Sequence, residues 1–274
     1  MTRLAVIYVG FDKGDPMNSL SGLKRYLEEK WGLSPTYVVV DNRESGQGEK
    51  PFGENCFLIQ GDNSEREFSG WQEGLNFFFS RRLPGDVFLL ANDSFEAVVP
   101  SYLRRHDPSS IMWKSELLKA VMGRIDSNGS TAMLYGKMIS AWVNTNCFFV
   151  PGEVMSRMGK VITVDRETIN DFLPLSYPGG SEVFLKSAPI NDACKDHLMK
   201  WITREWYKRI PLSEDNWWQF REKVKAMLNE LAFSIRVRQL GYIVLPYSFS
   251  SFALQRSTEV AKRLARKVYP RRRR

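Results

Sequence analysis

The order of elements along the chain predicts an α/β fold with a mostly parallel central sheet. Short apolar runs of strand length occur at residues 3–10, 36–40, 55–60 and 86–91, and stretches with helical spacing lie between them. The fourth run, DVFLLA, is almost uninterrupted in apolar character, as in a sheet covered on both faces. Strand, helix, strand, strand, helix, strand is the signature of βαβ units.

Taken in order, RLAVIYVG opens the chain as a strand. Residues 20–31 place Leu23, Tyr26 and Leu27 at helical spacing, and Gly32 ends that helix. TYVVV is β-branched and NCFLIQ apolar, giving the second and third strands. Ser64 with Glu67 has the capping-box spacing, and the helix it predicts carries Phe68, Trp71, Leu75, Phe78 and Phe79 before Leu83-Pro84-Gly85. Farther on, 108–125 reads as a helix, 140–150 (SAWVNTNCFFV) as a strand and 152–158 as a short helix. Residues 160–190 read as loops, 192–207 and 214–240 as helices, and 242–247 as the last strand. No internal repeat or linker is evident, so residues 1–254 read as one domain with a helical C-terminal part, followed by a tail.

Composition narrows the function. A chain of 274 residues with 43% hydrophobic and 26% charged side chains is neither disordered nor wholly embedded in a membrane. No apolar run approaches the ~18–20 residues of a spanning helix, and the first residues lack a secretory signal core. Cys56, Cys147 and Cys194 are isolated and odd in number, which excludes a disulfide scaffold and a cysteine zinc site and fits a reducing cytoplasm. Residues 255–274 hold nine Lys/Arg and one acid; removing them from the 39 basic and 31 acidic residues leaves 30 of each. The body is formally neutral, and the whole +8 belongs to the tail.

Several common sites are missing. The first strand is not followed by GxGxxG, no Walker loop or GxSxG elbow occurs, and His106 and His197 belong to no HExxH. What remains is polar residues where strands end, the place where open α/β sheets bind ligands. The third strand ends in Gln60-Gly61-Asp62-Asn63-Ser64 and the fourth in Asn92-Asp93-Ser94. Such groups accept from ribose hydroxyls or base edges, and a carboxylate holds a hard cation against a diphosphate. The same residues also read as a helix cap and a turn.

The segment DNSEREFSGWQEGLNFFFSRRLPGDVFLLANDSF at 62–95 resembles the core of GT-A type glycosyltransferases. Gly70, Gln72 and Gly74 fall where the large inverting family has Ala-x-Asn-x-Gly, and Asn92-Asp93-Ser94 where it has Asp-x-Asp. GDNSEREFSGWQEGL, FLLANDSF and SAWVNTNCFFV resemble, more closely, bacterial glycosyltransferases of surface-polysaccharide (lipopolysaccharide O-antigen) assembly, over about residues 3–150. The resemblance implies a single GT-A-like (Rossmann-like) domain whose residues 1–100 bind a nucleotide sugar and whose residues 101–254 bind the acceptor. It implies donor contacts from Asp62, Asn63, Arg66, Gln72, Asn92, Asp93 and Ser94, and acceptor contacts from Trp142, Asn144 and Asn146. Only Asp93 of the Asp-x-Asp position is charged. A Mn or Mg ion would therefore rest on Asp93 and substrate phosphates, or basic side chains (Arg66, Lys137 and Arg124 are candidates) would balance the diphosphate without a metal.

An inverting transfer needs a carboxylate to take the acceptor proton. Asp126, Asp192, Glu214, Asp215 and Glu230 are available; Asp215 lies at a helix start, and Glu230 lies mid-helix between Leu228 and Leu231. Asp93, Glu230 and Asp215 are the catalytic candidates. Glu214-Asp215 equally reads as helix-dipole complementation. Trp201, Trp206, Trp217 and Trp218 read as sugar platforms or, for Trp217 with Phe220 and Val224, as packing.

In the tail, Val260, Leu264 and Val268 form an apolar stripe opposite Lys262, Arg263, Arg266 and Lys267, ahead of four arginines. This basic amphipathic pattern suits an anionic membrane surface, consistent with a cytoplasmic, peripheral enzyme acting on a lipid-linked acceptor. Two other readings stand beside the enzyme: an inactive glycosyltransferase-like scaffold, and a nucleic-acid binder using the tail, which the neutral body disfavours.

Overall fold

In a computed structural model the described residues are 2–11, 16–43, 49–95, 103, 105–180, 182–203 and 211–249. The tail and Trp206 lie outside them. Among the described residues eight strands form one sheet: β1 Leu4–Gly10, β2 Thr36–Asp41, β3 Lys50–Pro51, β4 Cys56–Gln60, β5 Val87–Asn92, β6 Ala120–Leu134, β7 Lys137–Pro151 and β8 Ile243–Pro246. Their order is β3-β4-β2-β1-β5-β7-β6-β8. The β1–β2, β1–β5, β2–β4 and β6–β8 pairs are parallel; β3–β4, β5–β7 and β6–β7 are antiparallel. The α/β class with a mixed, mostly parallel sheet is therefore as expected.

Alternation along the strands divides the core. Leu4, Val6 and Tyr8 of β1 pack on one face with Leu20, Leu23, Ile111 and Met112, from helices α1 (Pro16–Lys24) and α3 (Pro108–Leu117). Ala5, Ile7 and Val9 pack on the other with Phe68, Trp71, Leu75, Val154, Phe233 and Val237, from α2 (Glu67–Ser80), α4 (Gly152–Met158) and α6 (Trp217–Gln239). A third cluster joins the far half of the β6–β7 hairpin to the 164–190 segment, to α5 (Asp192–Trp201) and to α6 from Trp217 to Ile235; it includes Trp142, Trp217, Phe220 and Val224. Trp217, Phe220 and Val224 are thus packing residues, and Trp218 is exposed.

α2 lies close on β1, and its glycines permit it: a Cβ at Gly74 would stand 2.3 Å from Ile7 Cγ2, and one at Gly70 2.7 Å from Val9 Cγ1. The small-residue pattern of this segment is thus a packing requirement between helix and sheet.

Four local expectations change. The helix expected over 108–125 ends at Leu117, because Lys119 takes a left-handed φ of 49° and the following residues alternate, with Ala120 and Met122 on one face and Val121 on the other. The first helix begins at Pro16 and finishes as a π-helical turn, Arg25–Lys30, before Gly32. The long helix is preceded by a 3₁₀ turn, Glu214–Asn216, and starts at Trp217. The Ser64–Glu67 capping box does not form: α2 starts after Arg66, which makes no side-chain cap. The backbone leading into it is held instead by other groups, described next.

Candidate functional site

The chain leaves β1 for β2 on one side and returns from α2 to β5 on the other, so the carboxyl ends of β1 and β5 flank the point where the strand order reverses. Ligand crevices of open α/β sheets form there. Asp93, the first residue after β5, stands at this point: its Oδ2 accepts the Phe11 N–H at 2.7 Å and its own N–H donates to the Val9 carbonyl at 3.1 Å. Asn92 Oδ1 accepts from both the N–H (3.2 Å) and the hydroxyl of Ser94, and Ser94 Oγ lies 3.1 Å from Asn146 Oδ1. Asn92, Asp93, Ser94 and Asn146 therefore come together at one strand end.

Asn146 reaches this place because β7 bulges. Gly123 pairs with Phe148 and Ile125 with Val143, so one residue of β6 faces four of β7. Such irregularities re-aim side chains. Gly123 makes the bulge possible, since a Cβ there would lie 2.3 Å from Val143 Cγ2 and 3.0 Å from Phe148 Cβ. The extruded residues form a polar shelf: Asn144 Nδ2 donates to Asp126 Oδ2 at 2.8 Å, the Asn146 N–H donates to Asn144 Oδ1 at 3.1 Å, and Arg124 Nε pairs with Asp126 at 3.2 Å.

Glu230 projects from α6 onto the shelf. Its Oε2 accepts from the Thr145 N–H at 3.0 Å and hydroxyl at 2.6 Å, and its Oε1 from Trp142 Nε1 at 2.8 Å. Burial pushes its carboxyl up to about 7, helped by the charge of Asp126 and opposed by the Thr145 and Trp142 bonds. A carboxyl so placed is half ionised near neutrality, the condition for a general base. Trp142, expected to touch the acceptor, is 4% exposed and packs edge-on to His197 at 4.8 Å between ring centres. Its faces offer no stacking platform, and its N–H positions Glu230.

At the other end, the backbone entering α2 is held from three directions. Arg66 has φ 55° and ψ −134°, a strained combination for a residue with a side chain. Its carbonyl accepts from Asn42 Nδ2 and from the Ser69 hydroxyl, both at 3.0 Å. Glu65 is buried and pairs with Lys225 Nζ at 2.5 Å, and its Oε1 accepts the Arg166 N–H at 3.0 Å. These contacts across the fold set the entry to α2 in place of a local cap. Asp62 and Asn63 are exposed in the preceding turn, where Asp62 Oδ1 accepts the Ser64 N–H at 2.8 Å. Glu73, beside Asp62, is raised to about 7 by burial and by that charge. Glu67 is raised by burial and feels Lys223, Arg66 and Asp93; Lys223 is 7% exposed, and burial together with Arg66 lowers it to about 7.

Three expected site residues are elsewhere. Gln72 Oε1 accepts the Val161 N–H at 2.7 Å and its amide donates to Asn76 at 2.9 Å, so its side chain fastens the 159–161 segment to α2. Asp215 is exposed before the first turn of α6, roughly 20 Å along the axis from Glu230 at ~1.5 Å per residue. Lys137 is exposed at the outer end of β7, seven residues from Asn144 and thus ~23 Å away along the strand. Thr145, which holds Glu230, is not among the residues the sequence points to.

Among the described residues no group of three His, Cys, Asp or Glu side chains could cage a metal ion. A divalent cation here fits only the arrangement in which one carboxylate, Asp93, shares it with ligand phosphates.

No protein-family model matches the chain, and no curated protein matches it. Among solved structures it is similar to the mannosyltransferase PcManGT from Pyrobaculum calidifontis, solved in complex with GDP-Man and Mn2+, with 13% identity, 98% of this chain and 81% of that chain covered, and a TM-score of 0.36. An overlap that low fixes no correspondence between site residues.

Proposed function

We propose that the protein is a nucleotide-sugar-dependent glycosyltransferase that extends a bacterial surface polysaccharide carried on a lipid. The observation that supports it most is the polar β7 bulge that joins the two ends of the site: Asn146 meets Ser94 beside Asp93 at the strand-order reversal, and the adjacent Thr145 holds Glu230 of α6. In this reading residues 1–100 hold the donor, with its nucleotide over Asp62, Asn63 and Arg66 and its diphosphate beside Asn92, Asp93 and Ser94. Residues 101–254 hold the acceptor against Asn144 and Asn146. The acceptor hydroxyl attacks the anomeric carbon, the bond to the β-phosphate oxygen breaks, and Glu230 takes the hydroxyl proton. Mn or Mg, when bound, would rest on Asp93 and the donor phosphates and would neutralise the leaving diphosphate.

The basic tail, residues 255–274, would hold the enzyme on the anionic inner face of the cell membrane, each cation near the surface contributing ~1 kcal/mol. No helix among the described residues is long and apolar enough to cross a membrane. Calorimetric titration of UDP, GDP, CDP, dTDP and CMP, with and without Mn2+, tests the catalytic reading. Selective binding of one nucleotide that is lost in Asp93→Ala supports it, and absence of binding under every condition leaves an inactive scaffold. Vesicle sedimentation of the chain cut after Leu254 tests the tail: adhesion to anionic vesicles is expected to disappear while nucleotide binding persists.

A further inference from the structure

We propose that an apolar edge of the folded domain, made by Trp113 and Leu117 of α3 and Ile243 of β8, enters the anionic lipid surface to which the basic tail is drawn; this rests on the membrane part of the reading above. α3 packs on the sheet through Ile111, Met112 and Ser115, all buried. The opposite side of such a helix ordinarily carries polar groups. Here it carries Trp113, 56% exposed, and Leu117, 61% exposed, four residues apart and therefore neighbours on one face. Ile243, 47% exposed, lies beside the end of α3, where its N–H donates to the Lys119 carbonyl at 3.4 Å. It is in register with Ala120 in the parallel β6–β8 ladder. Ala120 packs on the α3 side of the sheet, so the Ile243 side chain faces that side too. The three side chains line one edge of the domain.

The way the chain leaves the domain favours lipid as the occupant. Phe249, the last described residue, packs against the cluster that holds Ile111 and Met112. The Tyr247 ring stands 6.4 Å from that of His106, just ahead of α3. Arg256, the first cation of the tail, is seven residues beyond Phe249 and so within ~25 Å of it. The nine Lys/Arg of residues 255–274 therefore begin near the apolar edge. Among the described residues around that edge, Arg105, Lys114 and Lys119 balance Asp107, Glu116 and Glu153, with Lys119 and Glu153 3.6 Å apart. The edge thus has no acidic surplus to draw the tail back over it, whereas anionic headgroups attract the tail outward. A second copy of the chain fits poorly as well. The exposed parts of three such side chains amount to roughly 300 Å², against the ~800 Å² per partner of a stable interface. An indole suits the boundary between hydrocarbon and water, and Leu and Ile beside it suit shallow insertion. The tail then supplies an attraction that salt screens, and the α3 edge an attachment that salt leaves in place.

The test uses the full chain, with and without the pair Trp113→Ser and Leu117→Ser, and vesicles of equal parts phosphatidylcholine and phosphatidylglycerol. In low salt the double variant is expected to bind about 10- to 100-fold more weakly, the loss of two partly inserted apolar side chains. At ~0.5 M NaCl, where the attraction of the tail is screened, the same ratio should remain. Bromine-labelled lipid should quench the tryptophan emission of the wild-type chain more than that of Trp113→Phe. Should the double variant not fold, Leu117→Gln alone is read in its place, with a loss of about 3- to 10-fold expected. Equal vesicle affinity of wild type and variant overturns the proposal. So does a rise in acrylamide quenching of Trp113, without vesicles, when the chain is cut after Leu254, because the tail is then the occupant. A dimer of the wild-type chain that the double variant dissolves overturns it too. A full chain that binds no anionic vesicles removes the membrane reading and this proposal together. A full chain that binds them no better than the double variant does removes this proposal alone.

Discussion

Glu230→Gln exchanges a carboxyl for an amide of the same shape at a position that accepts three hydrogen bonds. Burial raises the Glu230 carboxyl from 4.5 to about 7. The folded chain therefore binds this proton more tightly than the unfolded chain does. The resulting stability is fully present below about pH 4.5 and is lost as pH rises to about 7, an amount of about 3 kcal/mol. The amide does not titrate. Urea unfolding of both chains at pH 5, 6, 7 and 8 should show the wild-type advantage shrinking by about 3 kcal/mol across that window and then levelling. Above pH 7 the variant escapes the cost of a buried charge but sets an amide NH2 against a donor, worth ~1–3 kcal/mol, so its stability should approach that of the wild type. Transferase activity should move oppositely. The wild-type rate rises with pH to a plateau above about 7, and the variant is slower by ~10²–10⁴-fold with that pH step removed. A stability difference that stays constant from pH 5 to 8, or a variant rate within threefold of wild type, would refute the assignment of Glu230 as a buried titrating base.

Gly123→Ala places a methyl 2.3 Å from Val143 Cγ2; thermal denaturation should register a loss of about 1–3 kcal/mol, and nucleotide-sugar turnover should fall as the β7 bulge shifts. Gln72→Ala removes the acceptor of the Val161 N–H; chemical denaturation should show a cost of about 1–2 kcal/mol with nucleotide affinity unchanged. Cys147 and Cys194 are buried, and burial pushes both thiols up to about 12; thiol reagents should leave them unmodified in the folded chain and label them on unfolding.

α6 ties several segments of the fold together. Lys225 holds the entry to α2, Asn229 Oδ1 accepts from the Thr163 and Val164 N–H groups at 2.8 Å each, and Arg236 Nη2 donates to the Met158 carbonyl at 2.8 Å. These bonds pin the irregular segment after α4 to the helix. The same helix carries Glu230 to the β7 bulge. A mid-helix carboxylate flanked by leucines is costly without partners, and the Thr145 and Trp142 donors are the partners that keep it.

The class of fold is legible in local patterns, because alternation, helical spacing and near-continuous apolar strands are what hydrophobic burial enforces. β1, β2, β4 and β5 match their apolar runs to within a residue or two. Sequence also determined that Asp93 closes a strand, since Asn92-Asp93-Ser94 directly follows an apolar run. It did not reveal the strand residues Ala120–Leu134, where helix-compatible composition concealed a period of two. Nor did it tell that Glu230 is held by Thr145 and Trp142 while Asp215 is exposed, or that Gln72 is tied to Val161. Those choices belong to tertiary structure: a helix face acquires meaning only from what packs against it. The β7 bulge brings Thr145 to Glu230 and Asn146 to Ser94 across 85 and 52 residues of chain, contacts that no local periodicity encodes.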